Sequence, residues 1–293
     1  MLAPGGEFEG RSRWGDFARD SLNLYPEFVR ELESESGVQI DFRRCGALEL
    51  SGSKQEWQTL QGRANRQREW GIAVEDAGPG RLYYPDDAAV NPRDLLAALR
   101  IACDRRGVAM HEGQTVRDIV AHSGRISEPE PAGAAVIAAG AWSSSIQVRV
   151  NGTTVPLEPA IPIRGHLIAF APSGEEPGPI RRQGHTYLLQ RSSGITLAGS
   201  TTEQVGFCRD PDPALFRDIE RRARELMPQL RSAPRIAEWI GFRPGTASGE
   251  PQLGQLGDSP VYLAYGHYRN GILMAPRTAS FLADAINANL RMD

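Results

Sequence analysis

The spacing of apolar residues changes period along the chain, and the changes predict its elements. From 16 to 36, Phe17, Ser21, Leu24, Tyr25, Phe28, Val29 and Leu32 recur three or four positions apart, which predicts a helix with one apolar stripe. Gly37 stands where a left-handed stop belongs. Residues 38–42 alternate like a strand, and 47–50 predict a second short one. Ser53 and Glu56 have the spacing of a capping box, opening a helix to about Trp70 that Gly71 closes. Asn91 and Pro92 start another helix, with Leu95, Leu96, Leu99 and Ala102 inward and Gly107 at its end.

Residues 108–110 and 116–120 read as strands. The run 134–140, Ala-Ala-Val-Ile-Ala-Ala-Gly, is apolar without alternation, which predicts a strand buried on both faces of a parallel sheet. Gly140 follows at once, and 141–145 can start a helix. A buried strand ending in glycine at a helix start suits the phosphate side of a dinucleotide fold, or an ordinary α/β crossover. From about 156 to 240 the pattern becomes that of an antiparallel sheet: 161–170, 187–190 and 195–198 are short strands, and Asp212-Pro213 begins a helix to about Leu230. Residues 128–133 and 172–179 are loops. Near the end, 261–264 predicts a buried strand, followed by turns on Gly266 and Gly271. A helix comes next, with Ala279, Leu282, Ala283, Ile286 and Leu290 about one turn apart. The expected fold class is mixed α/β: nucleotide-binding segments interleaved with a sheet-rich domain.

Composition narrows the function classes. A chain of 293 residues suffices for two domains or one large one. Lys+Arg (33) nearly balances Asp+Glu (36), for a net charge of −3, and no basic run exceeds two residues, which argues against a nucleic-acid surface. No apolar run approaches a membrane span, and the N-terminal stretch has no signal-like apolar core. Cys45, Cys103 and Cys208 are widely spaced and odd in number, as for reduced thiols in a cytoplasmic protein. The five histidines have no metal-ligand spacing.

Three local features carry candidate chemistry. Residues 264–276 combine a strand end, a glycine turn and a helix start, leaving backbone N–H groups for an anionic or polarised ligand, with His267 and Arg269 in the turn. A surface turn before a C-terminal helix is the plain alternative. Arg243, between Phe242 and Pro244, is the candidate carboxylate clamp, because a guanidinium meets a carboxylate through two parallel hydrogen bonds. A surface ion pair is its alternative. His185 and Tyr187 fall on one face of a predicted strand, as pocket residues or as ordinary sheet side chains.

Residues 241–254 read Gly-Phe-Arg-Pro-Gly-Thr-Ala-Ser-Gly-Glu-Pro-Gln-Leu-Gly, and Gly-His-Tyr-Arg-Asn-Gly follows at 266–271. This pair of motifs resembles the C-terminal half of the D-amino-acid oxidase family of flavoproteins, most of all the glycine oxidases of thiamine biosynthesis. Segments 1–4, 35–37, 162–165 and 199–203 fall in the family's order, so the resemblance covers nearly the whole chain. It implies non-covalent FAD, with no cysteine near the glycine-rich motif for covalent attachment. It further implies hydride transfer from Cα of glycine or another small amine to the flavin, H₂O₂ as by-product, and a homotetramer. Arg243 and Tyr187 would hold the substrate carboxylate, with His185 nearby and Arg269 at the mouth of the flavin site, a structural ion pair being the alternative for Arg269. The turn residues Gly266, His267, Tyr268, Asn270, Gly271 and Ile272 would approach the flavin ring, with Met1 close to it. Ala139, Gly140 and Trp142 would border the pyrophosphate and Val116 the adenine side. Residues 1–37, 88–155 and 241–293 would form the FAD-binding domain, and 38–87 with 156–240 the substrate domain.

The sequence contains no GxGxxG and no acidic ribose partner after one, both of which open such a fold. It therefore starts inside the family's pattern, and the first strand–loop–helix of the FAD-binding domain is expected to be absent. Three missing charge-assisted bonds to a pyrophosphate would cost about 4–9 kcal/mol, which predicts weak flavin retention. Two other readings stay open at this stage. One is a D-amino-acid dehydrogenase that passes electrons to a carrier. The other is a flavin-free remnant with a binding role only.

Overall fold

The structure, a computed structural model, describes residues 1–174 and 176–290. Position 175 of the expected 172–179 loop and the last three residues of the expected FAD-binding segment lie outside the described residues. The fold class is the mixed α/β one expected: six α-helices and four sheets are present among the described residues.

A short helix, α1 (Pro4–Glu7), leads into α2 (Arg13–Ser36). Helix α2 is capped by Ser12, whose hydroxyl accepts from Gly15 N–H, and it stops at Gly37 with φ 75°. Ser21, Leu22, Tyr25, Val29 and Leu32 are its buried stripe; Leu24, expected inward, is 41% exposed because it lies on the outer edge of that stripe. Helix α3 (Lys54–Trp70) begins as the capping-box spacing predicts, with Glu56 N–H on Ser53 Oγ at 3.1 Å. Its Glu56 carboxylate returns to Gly52 N–H, one residue before the cap. Helices α4 (Pro92–Arg105) and α5 (Pro213–Leu226) are capped by the side chains of Asn91 and Asp212. The last helix, α6 (Gly271–Leu290), packs along α2, and the Tyr25 hydroxyl donates to the Ile272 carbonyl between them.

The main sheet has eight strands. Its longest pair lies at one edge, Arg235–Thr246 against Ala160–Phe170, antiparallel in register Ile163↔Arg243 and Gly165↔Gly241. This pairing continues past position 241, so Phe242–Thr246 remain part of the main sheet. Thr196–Gly199, Thr186–Gln190 and Ile180–Gln183 follow, and then Ala47–Leu50, Arg81–Tyr84 and Glu75–Asp76. One join is parallel, Ile180–Gln183 on Ala47–Leu50, so the N-terminal third of the chain completes the sheet. Helix α5 covers one face, burying Phe216, Ile219 and Ala223 against Ile168, Phe170, Leu188 and Ala198.

Five local expectations come out differently. Residues 38–41 are irregular, and only Phe42–Arg43 pairs, with Ala89–Val90. Residues 108–110 form no strand, and the next one is Asp118–His122. The segment after Gly140 is a 3₁₀ turn, Gly140–Ser145, and α5 gives way to a second 3₁₀ turn at Pro228, because proline cannot continue the helix ladder. The apolar run 134–140 is a strand only at Ala135–Ile137, parallel to Val261–Tyr265, and it forms the edge of a three-stranded sheet. Only Ile137 in it is buried; Val136 is 43% exposed. The alanines Ala279 and Ala283 of α6 are exposed beside it. The reason is one feature: both elements turn these faces to a common open cleft.

A buried charged network ties α1 to the main sheet. Arg182 donates to Glu49 at 2.8 Å and to Asp87 at 2.6 Å, Arg63 reaches Glu49 at 3.1 Å, and Arg182 lies over the Tyr84 ring. Burial pushes the Asp87 carboxyl up to about 6 even with Arg182 pulling it down. A Cβ at Gly6 would stand 2.4 Å from Arg182 Nη1 and one at Gly5 2.5 Å from the Tyr84 ring, so α1 rests directly on this network. Gln67 Nε2 donates to the carbonyls of Gly5 and Phe8, fixing both ends of α1.

Candidate active site

A pocket of about 150 Å³ lies where the start of the chain, the main sheet and the N-terminus of α6 converge. Its lining includes Met1, Glu7, Tyr187, Arg243, Tyr268, Arg269, Asn270 and Ile272. Residues more than 260 positions apart in sequence thus meet in one site.

Arg243 sits in the strand Arg235–Thr246, opposite Ile163, and its guanidinium runs over Gly165 of the neighbouring strand. It donates to the Thr201 carbonyl at 3.0 Å and to Ser200 Oγ at 2.7 Å. The loop carrying these acceptors is itself tied down. Thr201 Oγ1 lies 3.0 Å from Nδ1 of the buried His166 and donates to Glu203 at 2.8 Å, and Arg164 pairs with Glu203 at 2.7 Å. Burial raises the Glu203 carboxyl, but hydrogen bonds from Arg164 and Thr201 outweigh it and hold the group below its ordinary value. Burial lowers the Arg243 pKa, with nearby tyrosines opposing, and an arginine in that range keeps its charge at neutral pH. The pocket therefore presents a pre-aimed, partly desolvated guanidinium, which suits a carboxylate.

Tyr187 lies in the strand Thr186–Gln190, packed against Gly199, where a Cβ would stand 3.0 Å from its ring. Burial pushes its phenol up, with the Arg243 and Arg269 charges opposing, so it is a neutral hydrogen-bonding group at physiological pH. His185 precedes that strand, exposed, and does not line the pocket. Arg269 does line it, with Nη2 3.0 Å from Glu7 Oε1. Glu7 has no sequence signal beyond being one more N-terminal acid; only the fold brings it to the pocket.

The pocket adjoins the cleft of about 560 Å³ noted above, and the two share Tyr268. Val136, Ala138, Gly140, Pro244, His267, Gly271, Ala275 and Ala279 give the cleft a largely apolar wall. At its junction with the pocket the turn before α6 is tightly set: Gly266 and Tyr268 have φ of 80° and 50°, and Tyr268 N–H donates to the Pro244 carbonyl at 2.8 Å. His267 is buried, 3.2 Å from Thr278 Oγ1, and burial drives its pKa down to about 4. Among the described residues the buried Asn270 Oδ1 has no hydrogen-bond partner, so Asn270 does not cap α6, and the first-turn N–H groups of Gly271, Ile272 and Leu273 make no hydrogen bond there.

An apolar slot that ends on an uncapped helix N-terminus fits the ring end of FAD, an aromatic plane with a polar edge. Of the residues expected on the phosphate side, Gly140 lines the cleft at φ 56°. Ala139 is exposed beside it, Trp142 is exposed and stacked on Phe207 at 5.0 Å, and Val116 is exposed in a loop. Neither Trp142 nor Val116 lines the cleft. Among the described residues no cluster of His, Cys, Asp or Glu could hold a metal ion, and no helix is long and apolar enough to cross a membrane.

The fold is that of FAD-dependent oxidoreductases. The chain belongs to the FAD dependent oxidoreductase family, whose pattern it matches over residues 1–285. Among its relatives, glycine oxidase of Pseudomonas putida is 30% identical over 91% of this chain and 77% of its own length. The bifunctional protein ThiO/ThiG of Synechocystis is 33% identical over 98% of this chain. The chain spans 44% of the length of that bifunctional relative. The crystal structure of glycine oxidase from Geobacillus kaustophilus superposes with a TM-score of 0.88 at 27% identity, over 98% of this chain and 82% of that one.

Proposed function

We propose that the protein oxidises glycine, or an amine of similar size, to the corresponding imine with non-covalently bound FAD, and that O₂ takes up the electrons to give H₂O₂. We further propose that this imine feeds thiazole synthesis for thiamine. The main observation behind it is the placement of Arg243: a fixed guanidinium in a pocket of about 150 Å³ that opens beside an apolar cleft. A pocket of that size suits an amino acid with little or no side chain.

In this account Arg243 takes the substrate carboxylate and the Tyr187 hydroxyl donates a further hydrogen bond, which fixes Cα relative to the cleft. FAD, when bound, supplies the two-electron acceptor for the Cα hydride. No group of the chain needs to act as a strong base, because the substrate amine reacts in its neutral form. The uncapped N-terminus of α6, with the N–H groups of Gly271 and Ile272, would favour negative charge at the adjoining end of the cleft. The main sheet supplies the substrate side of the site, and the segments around Gly140 and Gly266–Ile272 supply the cofactor side. Non-covalent attachment is favoured because none of Cys45, Cys103 and Cys208 lines the pocket or the cleft.

The test is anaerobic addition of glycine to the FAD-loaded protein, followed by air. Bleaching of the visible flavin bands, then their return with one H₂O₂ per glycine, is the expected result. A flavin that stays oxidised under glycine, sarcosine and small D-amino acids alike would overturn the reading. Bleaching without H₂O₂ on exposure to air would point to a dehydrogenase.

A further inference from the structure

We propose that Glu7 is a specificity-determining residue that restricts the pocket to substrates bearing a single carboxylate. The inference rests on the function proposed above and concerns which substrates the same site turns away.

The pocket holds two guanidinium groups, Arg243 and Arg269, and one carboxylate, Glu7. The side chains lining it therefore carry a formal charge of +1, which matches one substrate carboxylate. The two arginines are not equivalent. Among the described residues Arg243 hydrogen-bonds to neutral acceptors, the Thr201 carbonyl and the Ser200 hydroxyl. Arg269 is ion-paired with Glu7 at 3.0 Å, and Glu7 is only 14% exposed. Glu7 thus cancels the charge that would otherwise make Arg269 a second anion receptor. In a pocket of about 150 Å³ any second carboxylate on the substrate must lie close to Glu7, where little water screens the repulsion. This is discrimination by a built-in repulsive group, not by added attraction.

Glu7 is rigidly placed for that role. It ends α1, whose glycines Gly5 and Gly6 press on Tyr84 and Arg182, and whose carbonyls are gripped by Gln67. The anchored helix fixes where the Glu7 side chain starts, and the ion pair with Arg269 fixes its carboxylate.

The experiment uses acetate and malonate, one and two carboxylates without an oxidisable amine, so the readout is equilibrium binding by titration calorimetry or ligand-observed NMR and not turnover. The wild-type protein is expected to prefer acetate. Glu7→Gln keeps the side-chain shape and a hydrogen-bond acceptor for Arg269, and should move the acetate-to-malonate ratio of Kd values by about 30- to 100-fold in favour of malonate. Arg269→Gln, which leaves Glu7 in place and removes its partner, should move malonate binding the other way, below wild type. An unchanged ratio in folded Glu7→Gln protein, together with an unchanged malonate affinity in Arg269→Gln, overturns the inference while leaving the proposed function standing. Failure of the wild-type protein to bind either anion any better than Arg243→Met does would overturn the carboxylate pocket itself, and this inference with it.

Discussion

Gly165 and Arg243 share one volume: a Cβ on Gly165 would stand 2.4 Å from Nη1 of Arg243, well inside contact distance. The missing side chain on one strand is the space through which the guanidinium of the next reaches the pocket. Gly165→Ala must therefore move Arg243 off its Ser200 and Thr201 acceptors. Loss of one charge-assisted hydrogen bond in position is worth about 1.5–3 kcal/mol, so KM for glycine should rise roughly 10- to 100-fold. The thermal midpoint should change little, because the backbone conformation at 165 is ordinary. Steady-state kinetics alongside a melting curve checks both parts.

The buried charged network under α1 makes a different prediction. Arg182→Met strands the Asp87 carboxylate and weakens the hold on Glu49, and stranding a buried charge costs about 3–5 kcal/mol. Combining it with Asp87→Leu should recover much of that loss, since Arg63 still pairs with Glu49 at 3.1 Å. Urea unfolding of the single and double variants measures the difference. A single variant as stable as wild type would show that the network contributes nothing net.

His267 predicts a pH dependence of stability. Burial lowers its pKa from 6.5 to about 4, so the folded protein holds it neutral. Its contribution is fully present above pH 6.5, the unfolded value, and is lost as pH falls through about 4. The full difference corresponds to about 3 kcal/mol. His267→Gln removes this titration, so the stability gap between wild type and variant should shrink by that order between pH 7 and pH 4. A gap that is constant with pH would contradict the burial argument.

Much of this architecture was legible in the sequence, and what was legible was local. Ser53, Asn91, Asp212, Gly37 and Gly71 mark helix ends through contacts within a few residues, and the structure uses all five. Arg243 was singled out by its residue type and its neighbours Phe242 and Pro244. Its supports, Gly165 and the Ser200–Thr201 loop, come from strands that meet it only in the folded sheet. The Gly-Ser-Thr-Thr-Glu run at 199–203 was visible in sequence, but nothing in it said that it faced an arginine 40 residues on. Glu7 and the Arg182 network were invisible for the same reason: their partners lie at 269, and at 49 and 87. The run 134–140 misled because an apolar strand beside an open cleft has the same composition as one covered on both faces.

The most direct test of the account is the affinity of the pocket for glycine's carboxylate with and without its clamp. Acetate or glycine binding to the wild-type protein and to Arg243→Met should differ by roughly 100-fold or more, the value of a bidentate charge-assisted contact in a partly desolvated site. Equal affinity of the two proteins, with the fold of Arg243→Met intact, would contradict the assignment of this pocket as the substrate site.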